Sequence, residues 1–184
     1  MRRRSFLSIF LVIFGLAGTT IFAAENFDLP MLKRNTRIFE GIVNEVVKQD
    51  FPNPFAVTGG AEASYLQEFG IVVSLHLNIN RATIRTPFGL VSTQQQEERS
   101  KEEQLRTLKD SMVRCLADYG GTFKQLTSGH FIAITAHVED RNELDSSRNT
   151  TIVIISASKE NVDSLTMGRI SSQQFQERVR ITEY

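Results

Sequence analysis

The sequence predicts an α+β domain in two layers, with a four-stranded sheet packed on two main helices and short helices at the C-terminus. Three observations carry that expectation. Residues 28–50 and 94–119 place apolar side chains at helical spacing. Residues 70–80 alternate strictly between apolar and polar, as a half-buried strand does. Residues 150–158 are β-branched and apolar on both faces, which suits a central strand. The order helix, strand, helix, three strands, helices lets one sheet bury a face against the two main helices.

Composition narrows the function classes. The chain has 184 residues, with 21 Lys+Arg against 21 Asp+Glu, so it is formally neutral. A neutral chain lacks the basic footprint of a nucleic-acid grip, and no nucleic-acid partner is expected. Hydrophobic residues at 41% and charged residues at 23% are ordinary globular usage and exclude wholesale disorder. The single cysteine excludes an intrachain disulfide and any zinc site built on paired cysteines.

Residues 1–24, MRRRSFLSIFLVIFGLAGTTIFAA, have the three parts of a secretory signal peptide. Arg2, Arg3 and Arg4 come first, an apolar run from Phe6 to Leu16 follows, and small residues end the segment. Cleavage is expected after Ala23 or Ala24. The apolar run is shorter than the roughly 20 residues a spanning helix needs. The alternative is an uncleaved anchor in the inner membrane. Arg3-Arg4-Ser5-Phe6-Leu7 resembles the core of a twin-arginine export signal, but the strongly apolar run suits the general secretory route better. Without residues 1–24 the remainder, 25–184, holds 18 basic and 21 acidic residues, a net of −3. It is expected to be one periplasmic or secreted domain, touching a membrane only through the leader if that stays attached.

Residues 28–50 form the first expected helix, with Asp28 as cap and Pro30 in its first turn. Its apolar stripe is Ile38, Phe39, Ile42, Val43, Val46 and Val47. Residues 51–69 read as an irregular stretch: Pro52 and Pro54 stop the helix, and Gly59-Gly60 permit a sharp turn. In the strand over 70–80, Ser74, His76 and Asn78 share the polar face, which makes them the candidate ligand- or partner-binding residues. Residues 81–93 are a connector. In the helix over 94–119, Thr93 and Gln96 fit a capping box. Its first part, Gln94–Gln104, has no apolar residue and is expected to project into solvent; Leu105, Leu108, Met112, Cys115, Leu116 and Tyr119 form the packing stripe. Gly120-Gly121 end it. Residues 122–126 and 130–139 read as a hairpin around Thr127-Ser128-Gly129, and 140–149 as a polar loop. The tail, 159–184, reads as two short helices capped by Ser158 and by Ser171 or Ser172.

No motif names a reaction. Nucleophile elbow, Ser-x-x-Lys, P-loop and dinucleotide fingerprints are all missing from the sequence. Cys115 sits on the packed side of its helix, which suits a small apolar residue better than a reactive thiol. The acidic loop 139–149 lacks the ligand spacing of a calcium hand. His130 and His137 differ by an odd number of residues and so point to opposite faces of a strand. His76 and His137 meet only if their strands pair in the right register. No cofactor or resident metal is expected.

Three phrases read together: Tyr65-Leu66-Gln67-Glu68-Phe69-Gly70-Ile71-Val72-Val73, Leu116-Ala117-Asp118-Tyr119-Gly120-Gly121 and Ile132-Ala133-Ile134. They resemble a group of uncharacterised exported bacterial proteins over roughly residues 60–160. The resemblance implies an exported protein and no catalytic residue, because the group has no assigned activity. The expectation for function is a non-enzymatic exported domain that binds a partner or supports an envelope assembly, with envelope proteins as the partner class. Its surfaces are Gln94–Gln104 and the face of Ser74, His76 and Asn78. The alternative is an exported hydrolase with a site where the Gly59-Gly60 loop meets that face, and His76 as base.

Overall fold

The structure is a computed structural model of the chain that describes residues 28–51, 57–78, 83–86, 89–92, 101–140 and 149–184. The leader expected at 1–24, the capping box expected at Thr93–Gln96 and most of the segment expected to project lie outside the described residues, as does most of the polar loop expected over 140–149. No described helix is long and apolar enough to cross a membrane.

Helix α1 (Leu29–Asp50) begins as its sequence requires. The Asp28 carboxylate accepts from the Met31 amide at 2.9 Å, and Pro30 sits where no intrahelical donor is needed. The buried line is Leu32, Phe39, Val43 and Val47. The expected stripe is therefore narrower than its spacing suggests: Ile38 is 47% exposed, and Ile42 and Val46 are only half-buried. Phe39 is fully buried and meets Phe123 edge to face, with ring centroids 5.3 Å apart. Burying such a ring is worth about 1.5–3 kcal/mol.

The stretch expected to be irregular contains strand β1 (Val57–Leu66). It pairs antiparallel with β2 (Gly70–Leu77), and the register slips between Thr58 and Glu62. Gly59 and Gly60 sit in that bulge with φ of +89° and +80°, a region L side chains rarely occupy. The glycines thus mark a distortion inside a strand and not a loop between elements. Helix α1 closes the outer edge of β1. Asn44 accepts from the Ala61 amide at 2.8 Å and Glu40 from the Ala63 amide at 2.7 Å, at helical positions four apart. Side chains of the helix stand in for a neighbouring strand, so that edge is not open to pairing there.

The connector holds a small hairpin, β3 (Thr83–Thr86) and β4 (Gly89–Ser92), paired antiparallel. Helix α2 is described from Lys101 to Tyr119. Leu105, Leu108, Met112, Cys115 and Leu116 are buried as their spacing predicts; Val113 joins them, and Tyr119 is 38% exposed rather than packed. Ser111, fully buried, ties α2 to the end of α1. Its hydroxyl lies between the Asp50 carboxylate and the Thr107 carbonyl, and Arg114 donates to Ser111 Oγ at 2.9 Å and to Asp50 at 3.3 Å.

Residues 122–126 do not form the expected strand. Gly120–Thr122 make a single 3-10 turn, and further turns run to His130, held by Leu126 N–H to Phe123 O at 3.2 Å and His130 N–H to Thr127 O at 3.0 Å. The reason is Phe123, which is fully buried against Phe39 and pulls the chain under the core. Strands β5 (Phe131–Asp140) and β6 (Asn149–Ser158) form the long antiparallel pair. Helices α3 (Lys159–Thr166) and α4 (Ser172–Arg178) follow, with Ser158 and Ser171 as caps. The chain then adds a strand the sequence did not announce, β7 (Arg180–Glu183), antiparallel to β6.

The main sheet is thus five-stranded and mixed, in the order β1-β2-β5-β6-β7, where four strands were expected. Strands β2 and β5 are parallel neighbours from Gly70↔Phe131 to Leu77↔Val138. Gly70 makes that seam possible: its φ is +120°, and an added Cβ would stand 2.1 Å from the Phe131 carbonyl oxygen. Ile71, Val73, Leu75 and Leu77 of β2, Ile132, Ile134, Ala136 and Val138 of β5, and Val153 and Ile155 of β6 join the buried helix residues in one core.

Candidate functional site

Strand alternation sends every second side chain away from that core. On this opposite side β1 carries Glu62 and Ser64, β2 carries Val72, Ser74 and His76, β5 carries Thr135, His137 and Glu139, and β6 carries Ile152, Ile154 and Ser156, as their cross-strand pairing requires. Two of the three sequence-predicted residues fall here as expected: Ser74 is half-buried and His76 exposed. Asn78 departs from expectation. It lies just past the end of β2, is only 4% exposed, and its Oδ1 has no hydrogen-bond partner. A buried carbonyl oxygen left without a donor costs about 1–3 kcal/mol.

The parallel register brings His76 directly opposite His137. The two imidazoles stack, with centroids 4.6 Å apart and planes 16° apart. The spacing is set by the backbone, because neighbouring strands lie about 4.8 Å apart. His137 is half-buried, and its pKa falls below the ordinary 6.5, first through burial and then through the charge of His76. Two imidazolium rings so close would repel, so the pair favours at least one neutral ring at neutral pH. Thr58 is the register partner of His76 on the other side, so the Gly59–Gly60 bulge adjoins the pair.

His130 is a structural residue. Its Nδ1 accepts from the Thr127 amide at 3.0 Å, which leaves the proton on Nε2, and Nε2 lies 3.0 Å from the Gln67 carbonyl it donates to. It fastens the turn after β1 to the turn before β5. Cys115 is buried, and its thiol is pushed up to about 11, chiefly by burial, then by the charge of Asp118. It is a packing residue with negligible thiolate at neutral pH.

One cavity was not anticipated. Between the first turns of α1 and the outer side of β1 lies a cleft of about 370 Å³, walled by Leu29, Leu32 and Ala63 and rimmed by Lys33, Arg37 and Tyr65. Lys33 and Arg37 are one helical turn apart and share a face, which the sequence shows; that β1 stands opposite them is a tertiary fact. Among the described residues that line it the acid is Glu40, which accepts from the Ala63 amide. Among the described residues no three His, Cys, Asp or Glu side chains gather into a group able to hold a metal ion.

Three comparisons complete the description: no family model, no curated protein and no solved structure matches this chain.

Proposed function

We propose that this chain is an exported, non-enzymatic binding domain that recognises an envelope protein through the side of the sheet bearing Ser74, His76, Thr135 and His137. In this reading residues 1–24 direct export, and the domain has two layers, with helices and core on one side and the recognition surface on the other. The single observation that carries it is the division of the sheet. Core-side positions are mostly apolar, with Thr151 and Glu183 among the exceptions, whereas the opposite side mixes hydroxyls, imidazoles and branched apolar groups across adjacent strands. Mixed surfaces of that kind supply hydrogen bonds and apolar contact together, as recognition patches do. The exposed acids at the start of α2, Glu102 and Glu103, belong to the second expected surface, most of which lies outside the described residues. The likeness to uncharacterised exported bacterial proteins fits the same reading.

The experiment is a paired substitution. Ser74→Arg with Thr135→Arg puts bulk and charge on the recognition side and leaves the core alone. The expected result is loss of a partner captured from the host envelope with unchanged thermal unfolding. Capture that survives the double substitution would remove this surface from the proposal.

A second reading is an exported hydrolase with His76 as base. It is favoured by one observation, the bulge at Gly59–Gly60 adjoining His76 through Thr58. Turnover of simple esters, phosphates or peptides that disappears in His76→Ala would support it; turnover unchanged in that variant would remove it.

A further inference from the structure

We propose that His76 and His137 form a two-point site for a borderline divalent transition-metal ion, of the class of zinc, nickel or copper. Imidazole nitrogen is a preferred donor for these ions, and binding requires its neutral form. The two donors come from adjacent strands in direct register, so the backbone fixes their separation before any ion arrives. A ring separation of 4.6 Å is close enough that rotation about the side-chain torsions turns parallel rings into converging ones. Metal–nitrogen bonds of about 2.0–2.1 Å then form without moving either strand.

Simple aromatic packing explains the stack less well. It asks nothing of ring nitrogens, and a phenylalanine pair would bury the same surface without proton-dependent repulsion. Nor is the pair arranged like the third histidine, whose two nitrogens are both committed to the turns it joins.

Because no third His, Cys, Asp or Glu joins the pair among the described residues, the protein supplies two ligands and water fills the remaining positions. The ion is therefore exchangeable, unlike one in a closed structural site. It also clamps the parallel seam between β2 and β5, so binding raises the unfolding temperature.

The test uses the untagged chain, titrated with zinc, nickel and copper chlorides at neutral pH. One ion per chain is expected, with a rise in unfolding temperature. Losing one of two chelating donors weakens binding roughly a hundredfold, so His76→Ala and His137→Ala should each do so. His130→Ala, tested alongside, should bind as the parent does provided it folds. Wild-type protein gives a second readout that needs no variant. Substoichiometric copper should broaden the ring-proton resonances of His76 and His137 before any others. No binding, binding indifferent to His76 and His137, or broadening centred elsewhere would each overturn the proposal.

Discussion

The two sides of the five-stranded sheet place opposite demands on their residues. On the core side, shape decides: Ile71, Val73, Leu75 and Leu77 alternate into one continuous apolar cluster with Leu32, Phe39, Leu108 and Met112. On the other side the same strands present Ser74, His76, Thr135 and His137, which volume-filling does not require. The difference teaches that strand period sorts residues between packing and chemistry, while register decides which chemical groups meet. Period can be read within one strand. Register is a relation between two strands far apart in the chain.

The contrast breaks most visibly at the seam that sets the register. Gly70→Ala would drive a Cβ to within 2.1 Å of the Phe131 carbonyl oxygen, at a φ of +120°. Because backbone cannot yield there cheaply, the variant is expected to lose cooperative unfolding altogether, as seen by circular dichroism. Normal folding in that variant would refute the close approach of β2 and β5. Next, Phe39→Ala on the core side should cost about 3–5 kcal/mol in denaturant unfolding, because it empties a fully buried position beside Phe123. At the edge of β1, Glu40→Ala leaves the Ala63 amide without its acceptor and should cost about 1–3 kcal/mol.

The opposite side should respond to pH more than to truncation. His137 titrates below its ordinary 6.5 in the folded chain, so the unfolded chain binds its proton first as pH falls. Its contribution is whole above about pH 6.5 and is lost as pH falls through the lower folded value. Among the described residues, register also places Glu62, His76, Glu139 and Arg180 on that side. Unfolding followed from pH 7.5 to pH 5 with a chelator present should show a drop that His137→Gln reduces. The smallest effect is expected for Ser74→Ala, within about 0.5 kcal/mol, since surface truncations away from the core rarely do more.

Much of this fold was legible where the signal is local. The caps of α1, α3 and α4 rest on one side chain three residues from its donor, and Asp28, Ser158 and Ser171 all act as their identities imply. The alternation of β2 and the packed half of α2 were equally plain. What escaped was set by distant partners. Strand β1 was hidden because Gly59 and Gly60 look like a turn, whereas Asn44 and Glu40 of α1 hold that stretch as an edge strand. The expected strand at 122–126 gave way because Phe123 is buried against Phe39. Strand β7 is only four residues long and none of them is buried, so it carries no hydrophobic pattern long enough to read. At the site, Ser74 and His76 were visible as one face of one strand. His137 was not visible as their partner, because nothing in a single chain states that two strands run parallel with those two residues abreast. Asn78 was expected on the polar face of that strand, but it lies just past the end of β2 and is buried, since burial beyond a strand end depends on what packs there.

The most direct measurement places a photo-crosslinking residue at Ser74 and, separately, at Glu160 on the exposed surface of α3, in cells that express the protein. A discrete adduct with one envelope protein is expected from Ser74 and none from Glu160. An adduct formed equally from both positions, or from Glu160 alone, would mean that the histidine-bearing side of the sheet is not the binding surface.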